Sequence, residues 1–193
     1  DTSPGYIKFG KKIYRDNYKN HGPLTLEEII LKSSNVGSIL ISNQFDKKIY
    51  HELLEYVGIG EMVNINFPSE IQGELNHHTE WQDSDLRSHA LGYALKVTPL
   101  QLAKAYSVIA NEGIVIHPRI LKNISIQKNK TSFIKIKEIL KKNVESGTGY
   151  NAAVKGYSVG GKTGTAELYT GNKNEKYDNK EHISLFAGIT PIT

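Results

Sequence analysis

The run Gly160-Gly161-Lys162-Thr163-Gly164-Thr165-Ala166-Glu167 constrains this chain more than any other segment. Its three glycines leave backbone bare, which suits the exposed edge of a strand. Between them stand a fixed cation and two threonine hydroxyls. Bare amides, an ammonium and hydroxyl donors brought to one place make a binding edge for a single anionic group. The rest of the sequence decides which anion.

The 193 residues are 38% hydrophobic and 23% charged, which is one ordinary domain with material for one core. With no cysteine there is no disulfide framework, thiolate zinc site or cysteine nucleophile. The formal charge of +4 comes from scattered lysines and only three arginines. Nucleic-acid readers concentrate a basic face, so no nucleic-acid partner is expected. No apolar run approaches the about 18 residues that a membrane span needs. The start Asp1-Thr2-Ser3-Pro4-Gly5 has no leader pattern, and the chain as given reads as soluble. It lacks an initiator methionine and stops at Gly188-Ile189-Thr190-Pro191-Ile192-Thr193 while still reading as strand. It is therefore expected to be a piece of something longer.

Residues 5–14 alternate loosely and suggest a hairpin around Gly10-Lys11. Thr25 with Glu28 forms a capping box for a short first helix carrying Leu26, Ile29 and Ile30, interrupted by Ser33-Ser34-Asn35. Val36, Ile39, Leu40 and Phe45 make the stripe of a second helix. Asp46 caps a third with Tyr50, Leu53, Leu54 and Val57, ended by Gly58. Residues 59–97 read as an extended surface excursion. Thr98-Pro99 opens a helix that buries Leu100, Leu102, Ala103, Tyr106, Ile109 and Ala110, with Gly113 past its end. Strands are expected at 114–116 and 120–126, then an amphipathic helix from 132 to about 144 closed by Ser146-Gly147. Residues 157–169 read as one strand and 183–189 as its partner. The sum is α+β, helices with a small antiparallel sheet at the C-terminal end.

Residues 156–163 also fit a phosphate loop, Gly, four residues, then Gly-Lys-Thr. Such a loop needs a buried apolar strand before it and a helix starting at its Lys-Thr. Here Ala152-Ala153-Val154-Lys155 precedes it, Gly164 and a polar stretch follow, and 183–188 carries no acid for magnesium. Nucleotide binding is the weaker alternative.

A Lys-Thr-Gly triad is also the spelling of serine acyltransferases that react with penicillin, and that chemistry calls for a Ser-x-Asn partner. Ser33-Ser34-Asn35 supplies it, in the right order, at a helix junction from which hydroxyl and amide reach one cleft. Taken alone, the triplet reads as a helix cap. The pairing with Lys162-Thr163-Gly164 gives it weight.

Longer strings extend the match. Lys32-Ser33-Ser34-Asn35-Val36-Gly37, Gly92-Tyr93-Ala94-Leu95-Lys96-Val97-Thr98-Pro99-Leu100-Gln101-Leu102-Ala103, Gly147-Thr148-Gly149, Ala152-Ala153-Val154-Lys155-Gly156-Tyr157 and Gly161-Lys162-Thr163-Gly164-Thr165-Ala166 stand in collinear order. With them the chain resembles the class B penicillin-binding proteins, in particular their cell-division transpeptidase branch. The resemblance implies the transpeptidase fold shared with serine β-lactamases, here over 1–193 as a partial domain, incomplete at both ends. The missing parts would be the Ser-x-x-Lys segment and the last strand and helix. It implies a reaction in which a serine attacks the penultimate D-alanine of a peptidoglycan stem peptide and passes the acyl group to a neighbouring amine.

The resemblance also assigns roles. Lys162 would neutralise the terminal carboxylate, with Thr163 and Thr165 donating to it and Gly164 keeping the edge bare. The Thr165 amide would form half of an oxyanion hole, a contact worth about 3 kcal/mol of barrier. Ser33 would relay a proton, and Asn35 would hold the peptide carbonyl and orient the catalytic lysine. Stem peptides and β-lactams are the implied ligands, with no cofactor and no metal. A membrane glycosyltransferase and division proteins are the implied partners, at the extracytoplasmic face of the inner membrane through an anchor outside the chain. A non-catalytic penicillin-sensing receptor of the same fold is the second alternative.

The nucleophile is the departure. Ser125 to Lys128 and Ser132 to Lys135 spell Ser-x-x-Lys but lie between the other motifs, out of order, and neither is assigned a role. The 193 residues alone are thus expected to be inert. His77-His78 with Glu80 lacks the fixed spacing of a zinc site and reads as solvated loop, while Trp81 and Tyr93 read as local core and Glu167 as a surface carboxylate.

Overall fold

A computed structural model describes residues 1–17, 20–65, 68–118, 131–168 and 178–192. The chain opens with an antiparallel hairpin, β1 (Tyr6–Phe9) and β2 (Lys12–Arg15), turning at Gly10-Lys11 as expected. Helix α1 (Leu26–Lys32) starts at the Thr25–Glu28 capping box, Thr25 N donating to Glu28 Oε2 at 2.8 Å and Glu28 N to Thr25 Oγ1 at 3.2 Å. The capping bonds pull the Glu28 carboxyl below its ordinary pKa. Helix α2 (Asn35–Ser42) stops before Phe45, which is exposed. Helix α3 (Lys47–Tyr56) takes Asp46 as its N-cap.

The face that α3 buries differs from the apolar stripe of the sequence. Leu53 is exposed, whereas His51 is buried. The cause lies in the segment after it. Residues 59–97 contain a 3-10 turn (His78–Glu80) and a helix, α4 (Asp83–Ala90), so the expected surface excursion is partly regular structure. The turn packs its rings on α3, with His51 5.4 Å from Trp81 and 5.2 Å from His77. Trp81 is buried, as expected, and donates Nε1–H to Asn76 O at 2.8 Å.

Helix α5 (Pro99–Ala110) takes Thr98 as its N-cap, Gln101 N donating to Thr98 Oγ1 at 3.1 Å. Its buried side is Gln101, Lys104, Ala105 and Val108, and Ala103 faces solvent. A glutamine can occupy the core there because both ends of its amide are used. Its Oε1 accepts from Thr98 N at 2.9 Å and its Nε2 donates to Glu61 O at 2.7 Å. Residues 114–116 form no strand, and 120–126 lie outside the described residues.

Helix α6 (Thr131–Ser146) underlies the C-terminal hairpin of β3 (Gly160–Leu168) and β4 (Asp178–Ile189). The pair is antiparallel, with Lys162 opposite Ala187 and Thr165 opposite Ser184. Leu140, Ile189 and Ile192 form a core between helix and sheet, with Tyr106, Ile109, Ala110 and Ile136 packed against it. Residues 157–159 precede the strand rather than belong to it. Lys162-Thr163 sits in mid-strand and no helix begins there, so the phosphate-loop alternative is overturned. The helix N-terminus that would hold the phosphates is absent from that position.

Asn143 ties α6 to β3. It is fully buried, donates Nδ2–H to Gly161 O at 2.7 Å and accepts at Oδ1 from Thr148 at 3.3 Å. Asn143→Ala should cost about 2–3 kcal/mol, since it strands a buried carbonyl and leaves a void. Lys48→Ala, which removes an exposed pair with Glu52 at 3.8 Å, should stay within about 0.5 kcal/mol. Urea unfolding of the two variants checks the contrast.

Candidate functional site

Helix α1 ends in a Schellman-type closure, Ser34 N donating to Ile29 O at 3.0 Å and Ser33 N to Ile30 O at 3.2 Å. That closure demands a left-handed residue, usually glycine, and Ser33 fills it with φ 51° and ψ 47°. The kink turns the Ser33 hydroxyl outward from a helix end. Ser34 goes the other way. It is buried, caps α2 by accepting from Gly37 N at 2.9 Å, and donates to Asp16 Oδ2 at 2.9 Å.

Asp16, directly after β2, holds this turn in place. Its carboxylate also accepts from Val36 N at 2.9 Å, so an anion sits on the N-terminal end of α2. Asn35 donates its amide to Arg15 O at 2.9 Å. The opening hairpin thus clamps Ser33-Ser34-Asn35 from one side. Gly37 lets α2 close on α1, since a Cβ there would lie 2.6 Å from the Ile29 side chain.

From the other side comes β3. Alternation sends Lys162 and Gly164 to one face of the strand and Thr163 and Thr165 to the other. Lys162 bends back to the edge, its Nζ donating to Thr163 O at 2.9 Å and to Ser33 Oγ. Residues 129 positions apart therefore meet, and the two motifs form one cleft. Burial lowers the Lys162 pKa from its ordinary value. Among the described residues no carboxylate pairs with it. A partly desolvated ammonium with only neutral oxygens around it is a site that gains by taking an anion.

The remaining expected residues fall as follows. Thr163 donates its hydroxyl to Thr148 Oγ1 at 3.3 Å. Thr165 is exposed on the strand. A Cβ at Gly164 would make ordinary contact with Leu185 at 3.4 Å, so packing does not require glycine there. Asn35 reaches the cleft turn, but part of its amide is already spent on Arg15. Ser125 and its lysine lie outside the described residues, and Lys135 is exposed on α6. Among the described residues no three metal-ligating side chains are grouped to hold a metal ion.

Sequence reasoning missed Asp16 and Asn143. Asp16 belongs to no motif and gives no signal. Asn143 does, because it falls three residues after Leu140 and seven after Ile136, a polar residue in the buried register of α6.

All 193 residues match the family model described as the penicillin binding protein transpeptidase domain. Penicillin-binding protein PbpB of Mycolicibacterium smegmatis is 32% identical over 97% of this chain and 32% of its own length. Peptidoglycan D,D-transpeptidase FtsI of Buchnera aphidicola is 36% identical over 90% of this chain and 32% of its own length. The chain spans about a third of the length of such curated relatives. The apo transpeptidase domain of Burkholderia pseudomallei penicillin-binding protein 3 superposes with a TM-score of 0.91 at 30% identity, covering 100% of this chain and 59% of that one. Penicillin-binding protein 3 of Mycobacterium tuberculosis complexed with aztreonam gives 0.84 at 28% identity over 98% of this chain and 47% of that one. The fold expected from the motifs is the fold of these neighbours.

Two variants separate site from scaffold. Ser33→Gly should leave stability within about 1 kcal/mol, because relief of the left-handed serine is offset by loss of the oxygen that accepts from Lys162, while Ser34→Ala should cost about 1–2 kcal/mol with its cap and its carboxylate bond. Lys162→Met has a pH signature. A lysine whose pKa falls on folding penalises the charged fold, fully below the folded pKa and less as pH rises through it. The variant should therefore raise the urea midpoint at pH 7, with a gain that shrinks in alkaline buffer.

Proposed function

The chain belongs to the transpeptidase family of penicillin-binding proteins, in its class B branch, and we propose that residues 1–193 are part of a peptidoglycan D,D-transpeptidase domain that also binds β-lactams. The observation that carries the proposal is the meeting of Lys162 with Ser33 across the cleft, with no carboxylate at the ammonium among the described residues. It supports a site that holds the C-terminal carboxylate of a stem peptide, or the carboxylate of a penicillin, on Lys162 and Thr165. Gly164 leaves the strand edge open to the ligand backbone. Thr163 is the second hydroxyl of the clamp.

The chemistry follows from that placement. A serine of a Ser-x-x-Lys motif outside these residues attacks the carbonyl carbon of the penultimate D-alanine. The Thr165 amide stabilises the oxyanion, the bond to the last D-alanine breaks, and the departing nitrogen takes a proton. That proton is the one the attacking serine gives up to a neighbouring base; Ser33, in contact with the Lys162 ammonium, relays it, and in the second half-reaction it relays the proton of the incoming amine back to the released serine. Asn35 holds the peptide carbonyl with the amide hydrogen that Arg15 leaves free. The place of the domain, on the resemblance of its motifs to the cell-division branch, is septal wall synthesis at the extracytoplasmic face of the inner membrane. There a membrane glycosyltransferase and division proteins would be the partners.

Labelling of the full-length protein with a fluorescent penicillin tests this. Lys162→Ala should lower the second-order acylation constant by at least about 100-fold, the loss seen when a charge-stabilising donor is removed from such a site. Unchanged labelling would contradict the clamp. The isolated 193 residues should take no label, and stoichiometric labelling would place the nucleophile among them. Turnover of a stem peptide separates the enzyme from a penicillin-sensing receptor, which would acylate and stop.

A further inference from the structure

The buried amide of Asn143 fixes the direction of the hydrogen bonds that run from Thr163 through Thr148 to α6. Gly161 O can only accept, so the Asn143 atom 2.7 Å from it is the nitrogen, and the amide oxygen faces Thr148. That oxygen carries no hydrogen. Thr148 must therefore donate its single hydroxyl hydrogen to Asn143 Oδ1, at 3.3 Å. Its own oxygen is left as an acceptor, and the hydroxyl that reaches it, also at 3.3 Å, is that of Thr163. The order runs Thr163 to Thr148 to Asn143, and Thr163 has spent its only hydrogen.

The turn that carries Thr148 is built around the same asparagine. Gly147 N and Gly149 N both donate to Asn143 O, at 3.0 and 3.1 Å. A Cβ at Gly147 would lie 2.4 Å from Asn143 Oδ1, and one at Gly149 would lie 2.9 Å from Nδ2. Two glycines wrap the amide with no space for side chains, so Thr148 is held against Thr163 by the core of the molecule.

We propose that Thr148 is a positioning residue that parks the Thr163 hydroxyl, so that the anion clamp of the unliganded cleft works through Lys162 and Thr165 until Thr163 is pulled off Thr148. With its hydrogen parked, Thr163 turns lone pairs rather than a donor toward an incoming carboxylate. Engaging it exchanges one hydrogen bond for another, and Thr148 sets what that exchange costs. The inference rests on the carboxylate-clamp reading of the cleft.

The consequence is a variant whose stability and reactivity move in opposite directions. Thr148→Val removes the acceptor that parks Thr163 and the donor that satisfies Asn143. In the full-length protein it should lower the urea midpoint yet raise the second-order acylation constant for benzylpenicillin by about three- to tenfold, the worth of one released hydrogen bond. Thr148→Ala should do the same. On a Thr163→Val background the gain should vanish, because no hydroxyl is left to release. Acylation unchanged or slowed by Thr148→Val, or a gain that survives Thr163→Val, overturns the proposal while Lys162→Ala still lowers the acylation constant by at least about 100-fold. If Lys162→Ala acylates normally, the clamp falls and the parked donor with it.

Discussion

The Lys162 ammonium joins the two halves of this molecule. Its strand is set by α6 through Asn143, its acceptor Ser33 is set by α1, and the turn beyond is pinned by Asp16 from the opening hairpin. Together they bring a cation and a hydroxyl into contact across 129 residues of chain. The cation is then partly withdrawn from water with neutral oxygens as its neighbours. That is an arrangement with an electrostatic deficit, and a bound carboxylate removes it.

The same deficit explains why the cleft is built from residues that a stability-driven sequence would replace. A glycine would relax the left-handed position held by Ser33, and an apolar side chain would be cheaper than a desolvated lysine. Directly beside them the rules reverse. Ser34, Asp16 and Asn143 are buried polar groups with their partners in place, and they hold the strained groups still. Ser33 and Ser34 are adjacent in sequence and have opposite duties, one exposed to the cleft at a conformational cost and one buried as a cap.

Much of this was legible from local signals. The capping box at Thr25, the helix start at Thr98-Pro99, the cap at Asp46 and the turn at Gly10-Lys11 are short-range chemistry, and they appear where the residues ask for them. The Ser-x-Asn and Lys-Thr-Gly motifs were legible because their residues are unusual in their places. What the sequence hid is set at long range. The side of α3 that is buried depends on a turn some 25 residues later, so apolar Leu53 is left out and His51 is taken in. Helix α4 lacks an apolar stripe strong enough to stand out from the polar stretch around it, and it forms with Leu86 and His89 as its buried residues. The burial of Gln101 becomes readable only once Glu61 is known to lie beside it.

A nitrogen-detected NMR titration of the Lys162 side chain in the full-length protein tests the central claim most directly, run with and without N-acetyl-D-alanyl-D-alanine. The ligand-free ammonium should titrate below the ordinary lysine range, and the peptide carboxylate should move it upward by restoring a counter-charge. A lysine that titrates in its ordinary range and does not respond to the peptide would contradict the account.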